Sequence, residues 1–305
     1  MHPRLCGLAA FLAFFAGAPA VAQDSAPPPA EAAPETLGLG VNRTERMTVP
    51  VRIGAGGLFR FIVDTGSERT VVSRELAQRL GLAPGSPVNL HSMTEVSRVE
   101  TAVVPALQVG RRTLSNIEAP MLEQRWLGAD GLLGVDSLAA HRVELDFRTN
   151  EMSVTPSRRR EPAWHGDTLV VTAQRRFGQL ILVDAWFDQE RVYVILDTGA
   201  QVSIGNQALR RRLERRNRLG PTAPVDLVSV TGGEMTVDYG LARSVRIGGI
   251  EIVNLPVGFA DVAPFRKLGL LDRPAILLGM DALQLFSRIS LDFATREVRL
   301  QLPRG

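Results

Sequence analysis

One folding unit is written twice in this chain, and that duplication limits its possible folds more than any other feature. Phe61 to Ser67 reads FIVDTGS, and Val194 to Ala200 reads VILDTGA. At ordinary residue frequencies an Asp-Thr-Gly triplet arises on the order of once in several thousand positions. Two copies, each behind three apolar residues, are therefore not accidental in 305. The repeat extends well beyond the triplets. Leu132-Leu133-Gly134 is answered by Leu277-Leu278-Gly279, and the hairpin-like VGRRTLSNI by VRIGGIEIV. ELDFRTNEMSV at Glu144 to Val154 is answered by SLDFATREVRL at Ser290 to Leu300, so that Asp146 matches Asp292 and Phe147 matches Phe293. The unit spans roughly 110–140 residues, and each copy holds one Asp-Thr-Gly. A site that needs both aspartates must form where the copies meet.

Within each copy the pattern is of short strands. Met47 to Ile53, a glycine turn at Gly54 to Gly57, and Leu58 to Val63 make a hairpin ending at Asp64. Those glycines precede a strand rather than a helix and lack dinucleotide-binding spacing. Ser73 caps a short helix that Gly81 stops. In the second copy Leu180 to Phe187 and Val192 to Leu196 flank the turn Asp188-Gln189-Glu190, and Asn206 begins an arginine-rich helix. Arg210, Arg211, Arg212, Arg215, Arg216 and Arg218 read as a solvent face, since no aromatic residues interleave them as in a nucleic-acid stripe.

Residues 1–22 have the form of a signal peptide: Arg4, an apolar core from Leu5 to Ala18, and Ala20-Val21-Ala22 before the cut. The expected product is exported, periplasmic or secreted. Membrane contact is expected only if this segment stays uncleaved, and its apolar core is short for a span of ~20 residues. Cys6, the only cysteine, would leave with the leader, excluding disulfides, thiol catalysis and cysteine metal sites from the mature chain. Residues 23–40 read as a Pro/Ala-rich disordered tether, with structure beginning near Arg46. Residues 41–156 form the first lobe, 157–167 a linker containing Arg158, Arg159 and Arg160, and 168–305 the second lobe. The net charge of +3 is small, and nucleic acid is not expected as a partner.

Two carboxylates brought close together cannot both ionise readily, so one acts as base while the other holds a proton. A water between them can then attack an amide carbonyl without metal or covalent intermediate. Thr65 and Thr198 fit as braces reaching across to the opposite loop, and Gly66 and Gly199 admit close backbone approach. The Ser67 hydroxyl is expected to donate to Asp64. Ala200 lacks a hydroxyl to do the same for Asp197, so the two acids are expected to differ.

These residues resemble those of the aspartic proteases of the pepsin and retroviral-protease superfamily. The likeness rests on D-T-G-S at Asp64 to Ser67, D-T-G-A at Asp197 to Ala200, and a following hydrophobic-hydrophobic-Gly element in each copy. It covers about residues 45–302. It implies a mainly β, bilobal acid-protease fold: two pseudo-symmetric, retropepsin-like β-barrel lobes with short helices. It implies Asp64 and Asp197 as the catalytic pair, supported by Thr65, Gly66, Ser67, Thr198, Gly199 and Ala200. Leu133, Gly134, Leu278 and Gly279 would back the loops, with VDSL and MDAL as the helices that follow. The hairpin tip with Ser229, Thr231, Gly232 and Gly233 resembles a flap; its counterpart at Leu90 to Val96 lacks glycine, and neither tip carries a tyrosine. The implied activity is that of an aspartic endopeptidase acting on a peptide or protein substrate bound extended between lobes, without cofactor or metal. A catalytically weak or inactive peptide-binding protein on the same fold is the alternative, and a membrane-tethered scaffold a third reading. Asp130, Asp146 and Asp292 are expected in turns, and His91, His141 and His165 lack metal spacing. Trp126, Trp164 and Trp186 are expected in core or groove. No GxSxG elbow is present.

Overall fold

The computed structural model describes residues 35–38, 40–41, 47–110, 112–157, 164 and 166–303. The leader, most of the tether, the three linker arginines and His165 lie outside the described residues. Each copy of the repeat forms an eight-stranded sheet. Across the first sheet the strands run Gly40–Val41, Met47–Ile53, Leu58–Val63, Gly131–Leu133, Val71–Ser73, Arg112–Leu122, Thr101–Val109 and Ala83–Pro84. Across the second they run Gln174–Arg176, Gln179–Phe187, Glu190–Leu196, Ala275–Leu278, Ser203–Gly205, Ile250–Phe259, Glu234–Ile247 and Ala223–Val228. The protein is mainly β, with the same plan in both lobes.

The strand that ends at each Asp-Thr-Gly is buried on both faces. Phe61, Ile62 and Val63, and likewise Val194, Ile195 and Leu196, are buried. This is why both stretches read as unbroken apolar runs instead of alternating ones. Each pairs in parallel with the Leu-Leu-Gly strand, Leu133 opposite Val63 and Leu278 opposite Leu196. The short strand after each Asp loop closes on the other side of that Leu-Leu-Gly strand.

A third, six-stranded sheet joins the two halves, in the order Glu35–Gly38, Glu151–Pro156, His141–Asp146, Arg288–Asp292, Glu297–Gln301, Thr168–Thr172. At its centre the matched segments of the repeat run antiparallel, with Arg142 opposite Asp292 and Asp146 opposite Arg288. Arg288 Nη2 lies 2.6 Å from Asp146 Oδ2, and Arg142 Nε 3.7 Å from Asp292 Oδ2. Each aspartate also accepts from its own turn, Asp146 from Arg148 N and Asp292 from Ala294 N and Thr295 N. The turn expectation for both is met, and each adds an ion pair across the lobes. Burial pushes the Asp146 carboxyl up, but charge-assisted hydrogen bonds from Arg148 and Arg288 outweigh it and hold the carboxyl well below the usual range.

Glu35–Gly38 corrects the sequence reading. The sequence predicts tether over these residues, yet they pair with Glu151–Pro156 as an edge strand. A four-residue edge strand gains its order from backbone hydrogen bonds to a partner, which side-chain patterning does not reveal. The helix caps are as expected. Ser73 Oγ accepts from Leu76 N, and Asn206 Oδ1 from Leu209 N. The helix Gln207–Arg215 buries Ala208, Leu209 and Leu213. Arg211, Arg212 and Arg215 are exposed, whereas Arg210 pairs with Glu214 and Asp238, and Arg216 and Arg218 with Glu190.

Candidate active site

The two Asp loops meet between the lobes and hold each other. Thr198 Oγ1 donates to Val63 O at 2.6 Å and accepts from Thr65 N at 3.1 Å. Thr65 Oγ1 donates to Leu196 O at 2.8 Å and accepts from Thr198 N at 3.1 Å. Both threonines are buried. Four backbone groups that end two strands are thereby satisfied by two hydroxyls from the opposite lobe. The glycines complete the crossing. A methyl group built on Gly66 would fall on the Asp197 carboxylate, and one on Gly199 would fall on Asp64. Only a residue without a side chain lets both carboxylates sit at this junction.

Backbone amides hold the carboxylates. Asp64 Oδ1 accepts from Gly66 N and Ser67 N, both at 2.9 Å; Asp197 Oδ1 accepts from Gly199 N at 2.9 Å and Ala200 N at 3.2 Å. The expected role of the Ser67 hydroxyl is corrected here. Ser67 Oγ donates to Arg69 O, and it is the Ser67 amide that reaches Asp64, as the Ala200 amide reaches Asp197. The contrast between Ser67 and Ala200 therefore does not distinguish the two acids. Exposure does: Asp197 is 7% exposed, whereas Asp64 is only half-buried.

The Leu-Leu-Gly elements sit behind the loops. Leu133 O accepts from Asp64 N and Leu278 O from Asp197 N, each at 3.0 Å. A Cβ on Gly134 would lie 2.5 Å from the Arg69 carbonyl carbon, and one on Gly279 2.7 Å from that of Val202. A second support escaped the sequence reading. Asp136 accepts from Thr70 N and Thr70 Oγ1, and Thr70 Oγ1 accepts from Gly134 N. Asp281 does the same through Ser203 N and Ser203 Oγ, with Ser203 Oγ accepting from Gly279 N. Burial pushes the Asp281 carboxyl up, against the pull of its hydrogen bonds from Ser203 and Ala282. The signal was legible: both aspartates stand two residues after the glycine of Leu-Leu-Gly.

A cleft of about 530 Å³ opens over Asp64 and Asp197. Val71, Leu122 and Leu132 from one lobe and Ala200, Val202 and Leu227 from the other supply apolar walls. The two hairpin tips meet across it. Thr94 Oγ1 donates to Ser229 Oγ at 3.2 Å. Ser229 N donates to Gly233 O, and the Ser229 and Thr231 hydroxyls bond at 2.8 Å. Gly232, at φ +83°, packs against the Trp126 indole, and Gly233 against the Thr94 hydroxyl. Each tip reaches over the opposite lobe. Met93 packs with the cluster containing Val262 and Phe265, and Val230 with the cluster containing Ile62 and Leu127. The tips align as Ser-Met-Thr-Glu and Ser-Val-Thr-Gly-Gly-Glu, so the counterpart expected near Leu90 to Val96 is in place.

Asp130 lies apart from the dyad, accepting from Arg60 N and Gln124 Nε2 as a turn residue. Trp126 is a groove residue, while Trp186 and Trp164 carry Arg246 and Arg288 over their rings. Among the described residues no group of three or more His, Cys, Asp or Glu is placed to hold a metal ion. No helix among them is long and apolar enough to cross a membrane.

Two mainly β lobes presenting paired Asp-Thr-Gly loops define an acid-protease fold. The family model described as aspartyl protease matches residues 49–137 and again residues 183–282, one stretch in each half. The chain belongs to the aspartyl protease family, with two retropepsin-like repeats in one polypeptide. A search of curated proteins gave no match.

Proposed function

We propose that the protein is an aspartic endopeptidase that cuts a peptide bond held extended between its lobes. The observation that carries this reading is the crossed contact of the two loops, Gly66 on Asp197 and Gly199 on Asp64. It brings one carboxylate from each half to one point under an apolar-walled cleft. Like charges so placed share a single proton. The ionised aspartate takes a proton from a water, which attacks the scissile carbonyl. The protonated aspartate donates to the carbonyl oxygen as the tetrahedral intermediate forms. The amides of Gly66, Ser67, Gly199 and Ala200 fix the carboxylates in the geometry this needs, at no reorganisation cost during the reaction.

Ser229, Thr231, Gly232 and Gly233 form a flap that, with the Ser92 to Glu95 tip, closes over the substrate and excludes water. The peptide is held along its backbone like an added strand, with apolar side chains in the walls. The signal-peptide form of residues 1–22 supports an exported activity. The test is to incubate the purified chain, lacking residues 1–22, with a diverse peptide library over a range of pH and to map the cuts. Cleavage between apolar residues, blocked by a statine-type transition-state mimic, is expected. Peptide binding without any cut would overturn the enzyme reading in favour of a binding protein on this fold.

A further inference from the structure

We infer that Gln179 is a positioning residue that biases the shared proton, leaving Asp64 as the ionised base and Asp197 as the acid; this rests on the protease reading above. Gln179 opens the strand Gln179–Phe187 of the second lobe and is 5% exposed. Its side-chain Nε2 donates across the lobe boundary to the carbonyl oxygen of Gly66. That carbonyl and the Ser67 N–H are the two ends of one peptide group. The Ser67 N–H in turn donates to Asp64 Oδ1 at 2.9 Å. A hydrogen bond accepted at the carbonyl end polarises the peptide and strengthens donation at the amide end. Gln179 therefore acts on Asp64 through a single peptide, favouring its charged form.

Among the described residues no side chain donates to the Gly199 carbonyl, and the matching Ala200 N to Asp197 bond is longer, at 3.2 Å. Exposure acts in the same direction, since the charged form favours the better solvated Asp64 over the buried Asp197. Other charged groups stand around the loop. Glu68 is neutralised by Lys267 of the second lobe at 2.5 Å, Asp136 is held by Thr70, and Arg69 is exposed. His91, Arg125 and Asp226 line the cleft.

The experiment is the pH–rate profile of the wild type, Gln179→Ala and Gln179→Glu on one cleaved peptide. Gln179→Ala is expected to lower kcat roughly tenfold or more with little change in KM. Its acid limb should move to higher pH, because a carboxylate with weaker donors ionises later. Gln179→Glu can donate only while protonated. It should work at low pH and lose activity as the new carboxyl ionises, above the ordinary glutamate value of ~4.3 because the site is buried. The acid rescue is read within one protein, so it decides the matter even if Gln179→Ala fails to fold. Variants with the wild-type profile, or the same fractional loss at every pH, would overturn the inference while leaving the protease reading standing. A wild type that cuts no peptide would overturn both.

Discussion

Replacing Thr198 by valine keeps the shape of the side chain and deletes one oxygen, and the structure sets what that costs. Thr198 is fully buried, and its hydroxyl both donates to Val63 O and accepts from Thr65 N. Valine strands both backbone groups in a junction that water does not reach. Each buried, unsatisfied group costs ~1–3 kcal/mol, so the loss is about 2–6 kcal/mol. Against a total stability of about 5–15 kcal/mol this is a large fraction. At about 2–4 °C per kcal/mol, Tm should fall by about 4 °C or more. Thr198→Ser keeps the hydroxyl and gives up a methyl, a loss of about 1 kcal/mol. Thr65→Val should match Thr198→Val, since Thr65 makes the same pair of bonds to Leu196 O and Thr198 N. Urea unfolding and thermal melting of the four proteins provide the assay. A valine variant within ~0.5 kcal/mol of wild type, or a serine variant as damaged as the valine one, would refute the view that these hydroxyls hold the halves together.

Gly66→Ala and Gly199→Ala should each lower peptide cleavage roughly a hundredfold or more, because the added methyl displaces the opposite carboxylate; steady-state kinetics on a cleaved peptide checks this. Gly233→Val should raise KM more than it lowers kcat, since it forces the two tips apart at Thr94; full substrate-saturation curves separate the two constants. Arg288→Met should destabilise the fold by about 1–3 kcal/mol at neutral pH, as it removes a charge-assisted bond to the buried Asp146. The folded-state pKa of Asp146 is depressed, so its contribution is complete above the unfolded value of ~3.9 and is lost as pH falls below it. The gap between wild type and variant, measured by denaturant unfolding, should accordingly shrink below about pH 4.

How much was legible in the sequence depended on whether the feature was repeated or long-range. The Asp64 and Asp197 loops, the Leu-Leu-Gly strands and the Asp146 and Asp292 turns each occur twice at fixed offsets, and the structure places each pair in equivalent positions. Asp136 and Asp281 had the same signature and were passed over, because an aspartate opening a short helix has a sufficient local explanation in capping preference. Glu35–Gly38 had no signature, since its order comes from a neighbouring strand 116 residues or so away in the register with Val154 to Glu151. Gln179 was invisible for a related reason. A lone glutamine at a strand start carries no chemistry until the other lobe's Gly66 carbonyl is brought against it. The Ser67 hydroxyl departs from its expected role because Arg69 O, two residues on, is a local acceptor for it.

The central claim is that one carboxylate from each half makes a single proton-sharing centre, so neither works without the other. Its most direct measurement is the cleavage rate of one peptide by wild type, Asp64→Asn and Asp197→Asn, with folding of each verified by its melting curve. Both variants should stay folded and lose cleavage to the background rate. A folded Asn variant at either position that retains most of the wild-type rate would contradict the account.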